Sequence, residues 1–242
     1  MPVILRDAWT TLVPDLDSRH GPLPPLMLAL TVVTGLVDAF SYLVLGHVFV
    51  ANMTGNVVFM AFSLAGAEGF SLSASLTSLG AFAVGAVVGG RIANRFPHHR
   101  ARLLLTVTAF EGALVLAAFL SSELTADRPS TTVRFLLIVL LGLAMGGQNA
   151  AARRLGVPDL TTTVLTLTIT GIAADGRLAG GTAGKAGTRA LSAIAMFLGA
   201  LVGGLLIQGS QPALPLLLAV LTLAAMAAVT SCHVRTTRAW IA

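Results

Sequence analysis

Residues 53–67 read MTGNVVFMAFSLAGA, and residues 160–174 read LTTTVLTLTITGIAA. Each opens on threonine or asparagine ahead of an apolar run, the signature of a helix start. The apolar runs themselves, 57–67 and 164–174, are only about half the ~20 residues that a helix needs to cross a bilayer. The rest of the chain is a membrane protein by composition. Of its 242 residues, 55% are hydrophobic and 10% charged, with a mean hydropathy of +0.87, whereas a soluble domain carries ~25% charged residues. Six other stretches, 25–46, 76–95, 102–121, 133–151, 190–208 and 213–232, reach or approach the spanning length. The expected fold is an all-α polytopic transmembrane helical bundle with six spanning helices and two short half-helices.

Arginine placement sets the orientation. The segment RIANRFPHHRAR (91–102) is the strongest basic cluster and should be cytoplasmic. SSELTADRPSTT (121–132) then lies outside and AARRLGVPD (151–159) inside. DGRLAGGTAGKAGTR (175–189) and the tail HVRTTRAW can both be inside only if 164–174 does not cross. Treating 57–67 the same way puts the amino terminus inside too. The competing arrangement has eight transmembrane helices, with the short runs extended to 52–72 and 159–178. It places both termini and Lys185 outside, against the charge rule.

The chain also reads as an internal duplication. Gly35 laid on Gly142 places Met53 and Thr54 on Leu160 and Thr161. With seven extra residues in the later loop, GAVVGG (85–90) falls on GALVGG (199–204). Glycine-rich membrane helices also resemble one another through packing alone. The organisation expected is an N-terminal cytoplasmic or interfacial segment 1–24, membrane repeats 25–121 and 133–232, and a tail 233–242. Segment 1–24 is mixed and proline-ended, unlike a cleaved signal peptide.

The net charge of +5 and the pI near 11.0 reflect arginines in the gaps between apolar stretches, so no nucleic-acid partner is expected. A single cysteine, Cys232, leaves no internal disulfide and no multi-cysteine metal site. His98 and His99 sit among arginines and read as surface charge, so no metal and no cofactor are expected. GGTAGKAGTR (180–189) fails as a phosphate loop because Ala179 and Ala186 stand where glycine and Ser or Thr are needed. It reads as a flexible cytoplasmic loop. No nucleophile motif appears, and no catalytic residue is assigned.

Polar residues inside the apolar stretches are the candidate site. On a helix over 25–46, Thr31, Thr34, Gly35, Asp38, Ser41 and Tyr42 share one face, with Asp38 near the midplane. A carboxylate at that depth must face the bundle or a water-filled cavity, where it serves as a coupling acid or bonds helices together. Glu111 is the other deeply placed acid. Gln148 and Asn149 suit substrate contact or interhelical bridging. Asn52, Thr54 and Asn56, with Thr161, Thr162 and Thr163, start the half-helices. Helix starts inside a membrane present free N–H groups, and paired broken helices mark transporter sites. Ordinary N-capping would choose the same residue types. The pairs Gly85/Gly89, Gly142/Gly146 and Gly199/Gly203 read as packing seams, within the chain or between copies of a homo-oligomer.

The stretches TGLVDAFSYLVLGHVFVANMTGNVV (34–58) and GLAMGGQNAAARRLGVPDLTTTVLT (142–166) resemble the YoaK-like family of bacterial inner-membrane proteins. The likeness is carried by Gly35, Asp38, Ala39, Ser41, Tyr42, Gly46, Phe49, Ala51 and Asn52 to Asn56, then by Gln148, Asn149 and Thr161 to Thr163. It extends from about Leu26 to Thr230. It implies a multi-pass protein of the bacterial inner (plasma) membrane, and supplies no activity or substrate.

Taken together, the residues point to a non-enzymatic small secondary transporter or permease. Its partners are the lipid bilayer and an unknown small molecule or ion, with proton or ion coupling through Asp38. A membrane partner or sensor protein is the alternative. A membrane enzyme acting on a lipid-like substrate ranks behind both, lacking a catalytic constellation.

Overall fold

A computed structural model describes residues 3–125, 130–160, 162, 165–176, 179–181, 184–234 and 239–241. The described residues form nine α-helices and a closing 3-10 turn, with no strand among them. α1 (Val3–Leu12) precedes the bundle. α2 (Leu23–Val44), α4 (Leu72–Arg95), α5 (Arg100–Glu123), α6 (Thr131–Leu155), α8 (Ala186–Gln208) and α9 (Leu214–His233) are each long and apolar enough to cross a membrane. α3 (Met53–Leu64) and α7 (Leu165–Ala174) are not. The helical bundle with six helices of spanning length and two short ones is as expected.

The helix ends follow from local chemistry. α2 begins on two prolines whose missing N–H groups cost nothing in a first turn. Ser71 and Ser130 cap α4 and α6 by accepting from Ala74 N at 3.3 Å and Val133 N at 3.4 Å. α6 stops at Gly156, whose left-handed φ of 58° suits a residue without Cβ. α8 lacks a side-chain cap of its own. Asp7 of α1 supplies one across the fold, accepting from Thr188 N at 2.9 Å. Residues 186–189, expected as flexible loop, are instead the first turn of α8. The apolar side chains of α1, Ile4, Leu5 and Trp9, remain exposed, as in a helix lying at a membrane surface.

Two helices occupy the middle. Within their most apolar windows, 67% of α2 and 61% of α6 is buried, against 22–39% for the other four long helices. The apolar face of α2 is therefore packed inside the bundle as its polar face is, with Val33 and Val37 fully buried. α2 packs chiefly on α8 and α9, and α6 on α4 and α5, while α5 and α9 close the bundle. Glycines set the closest approaches. A Cβ on Gly35 would stand 2.5 Å from Met196 O and 2.7 Å from Ala200 N, and one on Gly89 would stand 2.7 Å from Gly147 O. Backbones this close gain packing contacts that lipid cannot offer. Outward-facing Phe197, Leu198, Leu201 and Leu205 on α8, like Val84 and Val87 on α4, are exposed and present an apolar surface to the bilayer.

Candidate functional site

The segment joining α2 to α3 turns back into the bundle, and Asp38 holds it there. Asp38 is 5% exposed. Its Oδ1 accepts from Ala51 N at 3.0 Å and Val50 N at 3.3 Å. Oδ2 makes no hydrogen bond among the described residues, and the side chain borders a cavity. Asn56 secures the same segment from the other side. Its Oδ1 accepts from Phe49 N at 3.0 Å, and its Nδ2 donates to Phe49 O at 2.7 Å and Ser78 Oγ at 3.2 Å. Ser78 Oγ also donates to Phe49 O at 2.6 Å. An irregular segment inside an apolar bundle must satisfy its backbone groups this way or not be there.

The result is a cavity of about 560 Å3 bounded by both short helices. Asp38 of α2 contributes from one wall. Asn52, Thr54 and Gly55 come from the start of α3, Leu165 and Thr166 from the start of α7, and Asn149 from α6. Phe59, Phe82 and Met196 complete it with apolar surface. Asn52 also caps α3, its Oδ1 accepting from Gly55 N at 3.4 Å. A second cavity of about 830 Å3, lined by Asn94, Arg153 and Arg154 among others, shares Phe82 and Asn149 with the first. It opens toward the arginine-rich end of α6. On the far side, Phe59 stacks on Phe49 and Phe70 with centroids 5.6 and 5.1 Å apart. Tyr42 stacks on Phe49 at 5.0 Å and meets His47 edge-on at 5.1 Å.

The candidate residues therefore divide by position. Asp38, Asn52, Thr54 and Asn149 meet at the cavity. Ser41 is fully buried and donates to the Asp38 carbonyl at 3.2 Å. Tyr42 belongs to the aromatic cluster behind the cavity wall, and Asn56 to the backbone clamp. Gln148 is fully buried and bridges the two central helices, Nε2 donating to Thr34 Oγ1 at 2.8 Å. Glu111 is fully buried on α5, away from the cavity, and neither carboxylate oxygen has a hydrogen-bond partner among the described residues. Thr162 is buried with a φ of 61°, while Thr161 and Thr163 lie outside the described residues. Among the described residues, no three of His, Cys, Asp and Glu gather where a metal could bind.

Sequence reasoning missed Phe82, Met196, Phe59 and Thr166 as cavity residues. Laying the two halves on each other would have paired Phe59 with Thr166 and Phe82 with Met196. It also missed the ion cluster at the foot of α7. There Asp159 meets Arg189 Nε at 2.8 Å and Lys185 at 3.4 Å, and Asp175 meets Arg189 Nη1 at 2.7 Å.

Comparison with known proteins places the chain in a family. The family described as "Protein of unknown function (DUF1275)" matches residues 26–229. A curated relative, the UPF0700 transmembrane protein YoaK of Bacillus subtilis (strain 168), is 35% identical over 158 residues, covering 63% of this chain and 68% of its own. No solved structure matches significantly. The chain belongs to the DUF1275 family and is an integral, multi-pass bacterial membrane protein.

Proposed function

We propose that this DUF1275 protein is a small secondary transporter or permease that binds its substrate in the Asp38 cavity and couples binding to a proton or ion at that carboxylate. One observation carries the reading: a half-open cavity is walled jointly by a buried acid and by the first turns of both short helices. Helix starts placed at matching positions around a central space are how secondary transporters hold polar cargo within a membrane. The neighbouring cavity extends the path toward the arginine-rich face, with Phe82 and Asn149 at the junction. The aromatic cluster reaches the cavity through Phe59. The role is binding and passage, with no covalent chemistry.

An inverted internal duplication supports the same reading. When Gly35 is aligned with Gly142, Val58 falls on Leu165 and Phe59 on Thr166, and all four of Val58, Leu165, Phe59 and Thr166 line the cavity. α2 packs on α8 as α6 packs on α4. Each half holds three spanning helices, so the second half begins on the opposite side of the membrane and runs upside down. Met145 occupies the position equivalent to Asp38. Only one half thus brings the acid, which gives the central site a single titrating group.

The test is electrical. Protein reconstituted in liposomes is exposed to a panel of amino acids, sugars, organic acids and inorganic ions under an imposed proton gradient, with solid-supported-membrane currents recorded. A substrate-dependent current that disappears in Asp38→Asn is expected. Wild-type currents in that variant, or silence across every class in the panel, would overturn the proposal.

A further inference from the structure

A separate cavity of about 350 Å3 opens on the arginine-rich face, lined by Arg19, His20, Pro97, Arg100, Arg154 and Gly156 among others. Three distant segments converge on it: the run before α2, the α4–α5 turn, and the end of α6. Its volume lies within the ~300–1,000 Å3 of ligand pockets. Four of the lining side chains are basic and none is acidic.

Arg100 is fixed before any ligand arrives. Its Nη1 donates to Arg19 O at 2.9 Å, its Nη2 donates to Leu155 O, and His20 Nδ1 lies 3.5 Å from Nη2. Among the described residues, Arg19, Arg100 and Arg154 take part in no ion pair, whereas Lys185 and Arg189 are paired with Asp159 and Asp175. Topology alone asks only that arginines lie on this side of the membrane. It does not ask three of them to share one concave space without a counter-charge. Burial, and then the positive charges of Arg100, Arg19 and Lys185, hold the His20 imidazole below the ordinary histidine value.

We propose that this cavity is a binding site for a phosphate group, occupied in the membrane by the headgroup of an anionic phospholipid. Guanidinium groups match phosphate oxygens in charge and in planar donor geometry. Basic pockets at the cytoplasmic ends of spanning helices take acidic lipid headgroups for that reason. Free phosphate carries the same chemistry. Arg154 and Gly156 border this cavity and the larger one leading to Phe82 and Asn149, so a bound headgroup would sit at the mouth of that path. The inference stands independently of the transporter reading, because it concerns occupancy of a different cavity.

Delipidated protein in detergent, measured by native mass spectrometry, provides the test. Phosphatidylglycerol should be retained in preference to phosphatidylcholine. The variant Arg154→Gln should weaken that retention about tenfold, the size of one lost charge-assisted contact. Arg153→Gln, which removes the same charge one residue away and lines only the larger cavity, should leave it unchanged. If phosphatidylglycerol shows no preference but inorganic phosphate raises the melting temperature in an Arg154-dependent manner, the site takes the free anion. No preference combined with no phosphate effect overturns the site. Equal losses from Arg153→Gln and Arg154→Gln would do the same, since they would mean diffuse surface charge.

Discussion

Asp38→Ala removes the acceptor from two buried backbone donors, Val50 N and Ala51 N. Both residues are at most 4% exposed, so the two donors depend on the carboxylate for their hydrogen bonds. Each orphaned buried donor costs ~1–3 kcal/mol, which sums to ~2–6 kcal/mol for the alanine variant. Asp38→Asn keeps an oxygen in the same place. It loses the charge assistance on two bonds but is relieved of burying a carboxylate, so its net change should stay within ~1 kcal/mol. The two variants therefore part on stability while sharing the loss of the ionisable group. Unfolding in mixed micelles, titrated with SDS and followed by circular dichroism, measures the difference directly. Alanine and asparagine variants of equal stability would refute the claim that Asp38 anchors the 48–51 segment.

Gly35→Ala would place a methyl 2.5 Å from Met196 O. Overpacking of this kind costs ~1–3 kcal/mol, visible as a lower unfolding midpoint, while Gly90→Ala meets open space and should be neutral. Asp7→Ala removes the tertiary cap of α8 and should cost ~1 kcal/mol, with faster hydrogen exchange at Thr188 in the same variant. In a Cys232→Ser background, a cysteine at Gly69 should label only from outside and one at Gly184 only from inside. Labelling of both from outside would mean eight crossings and would rule out the inverted arrangement proposed for the halves.

The spanning helices were legible because length and hydropathy alone dictate them, and the short helices because their apolar runs are too brief to cross. Boundaries moved where polar residues proved helical. α3 begins at Met53, capped by Asn52 as its residue types suggest, whereas α4 begins at Leu72 rather than Leu76 because Ser71 caps it. α6 continues through Arg153 and Arg154 to a glycine stop. The role of Asp38 as an anchor was hidden, because its donors are backbone groups in an irregular segment with no side-chain signature. Asn56 illustrates the same limit: residue type and helical spacing suggest a cavity residue, yet its amide is spent on Phe49 and Ser78. Asp7 and the Arg19–Arg100–Arg154 cavity depend on segments far apart in sequence, and no periodicity announces such meetings.

The glycine seams bear on how the chain is made. α2 finds its partner in α8, and α4 finds its partner in α6, so neither half closes a seam within itself. As the first half enters the membrane during synthesis, the glycine faces of α2 and α4 have only lipid beside them. That of α4 is matched when α6 emerges, and that of α2 waits until α8 is inserted. Fragments divided between Leu124 and Thr131 should therefore assemble when co-expressed and be degraded when expressed singly. A first half that persists alone would show that the seams are not what completes the protein.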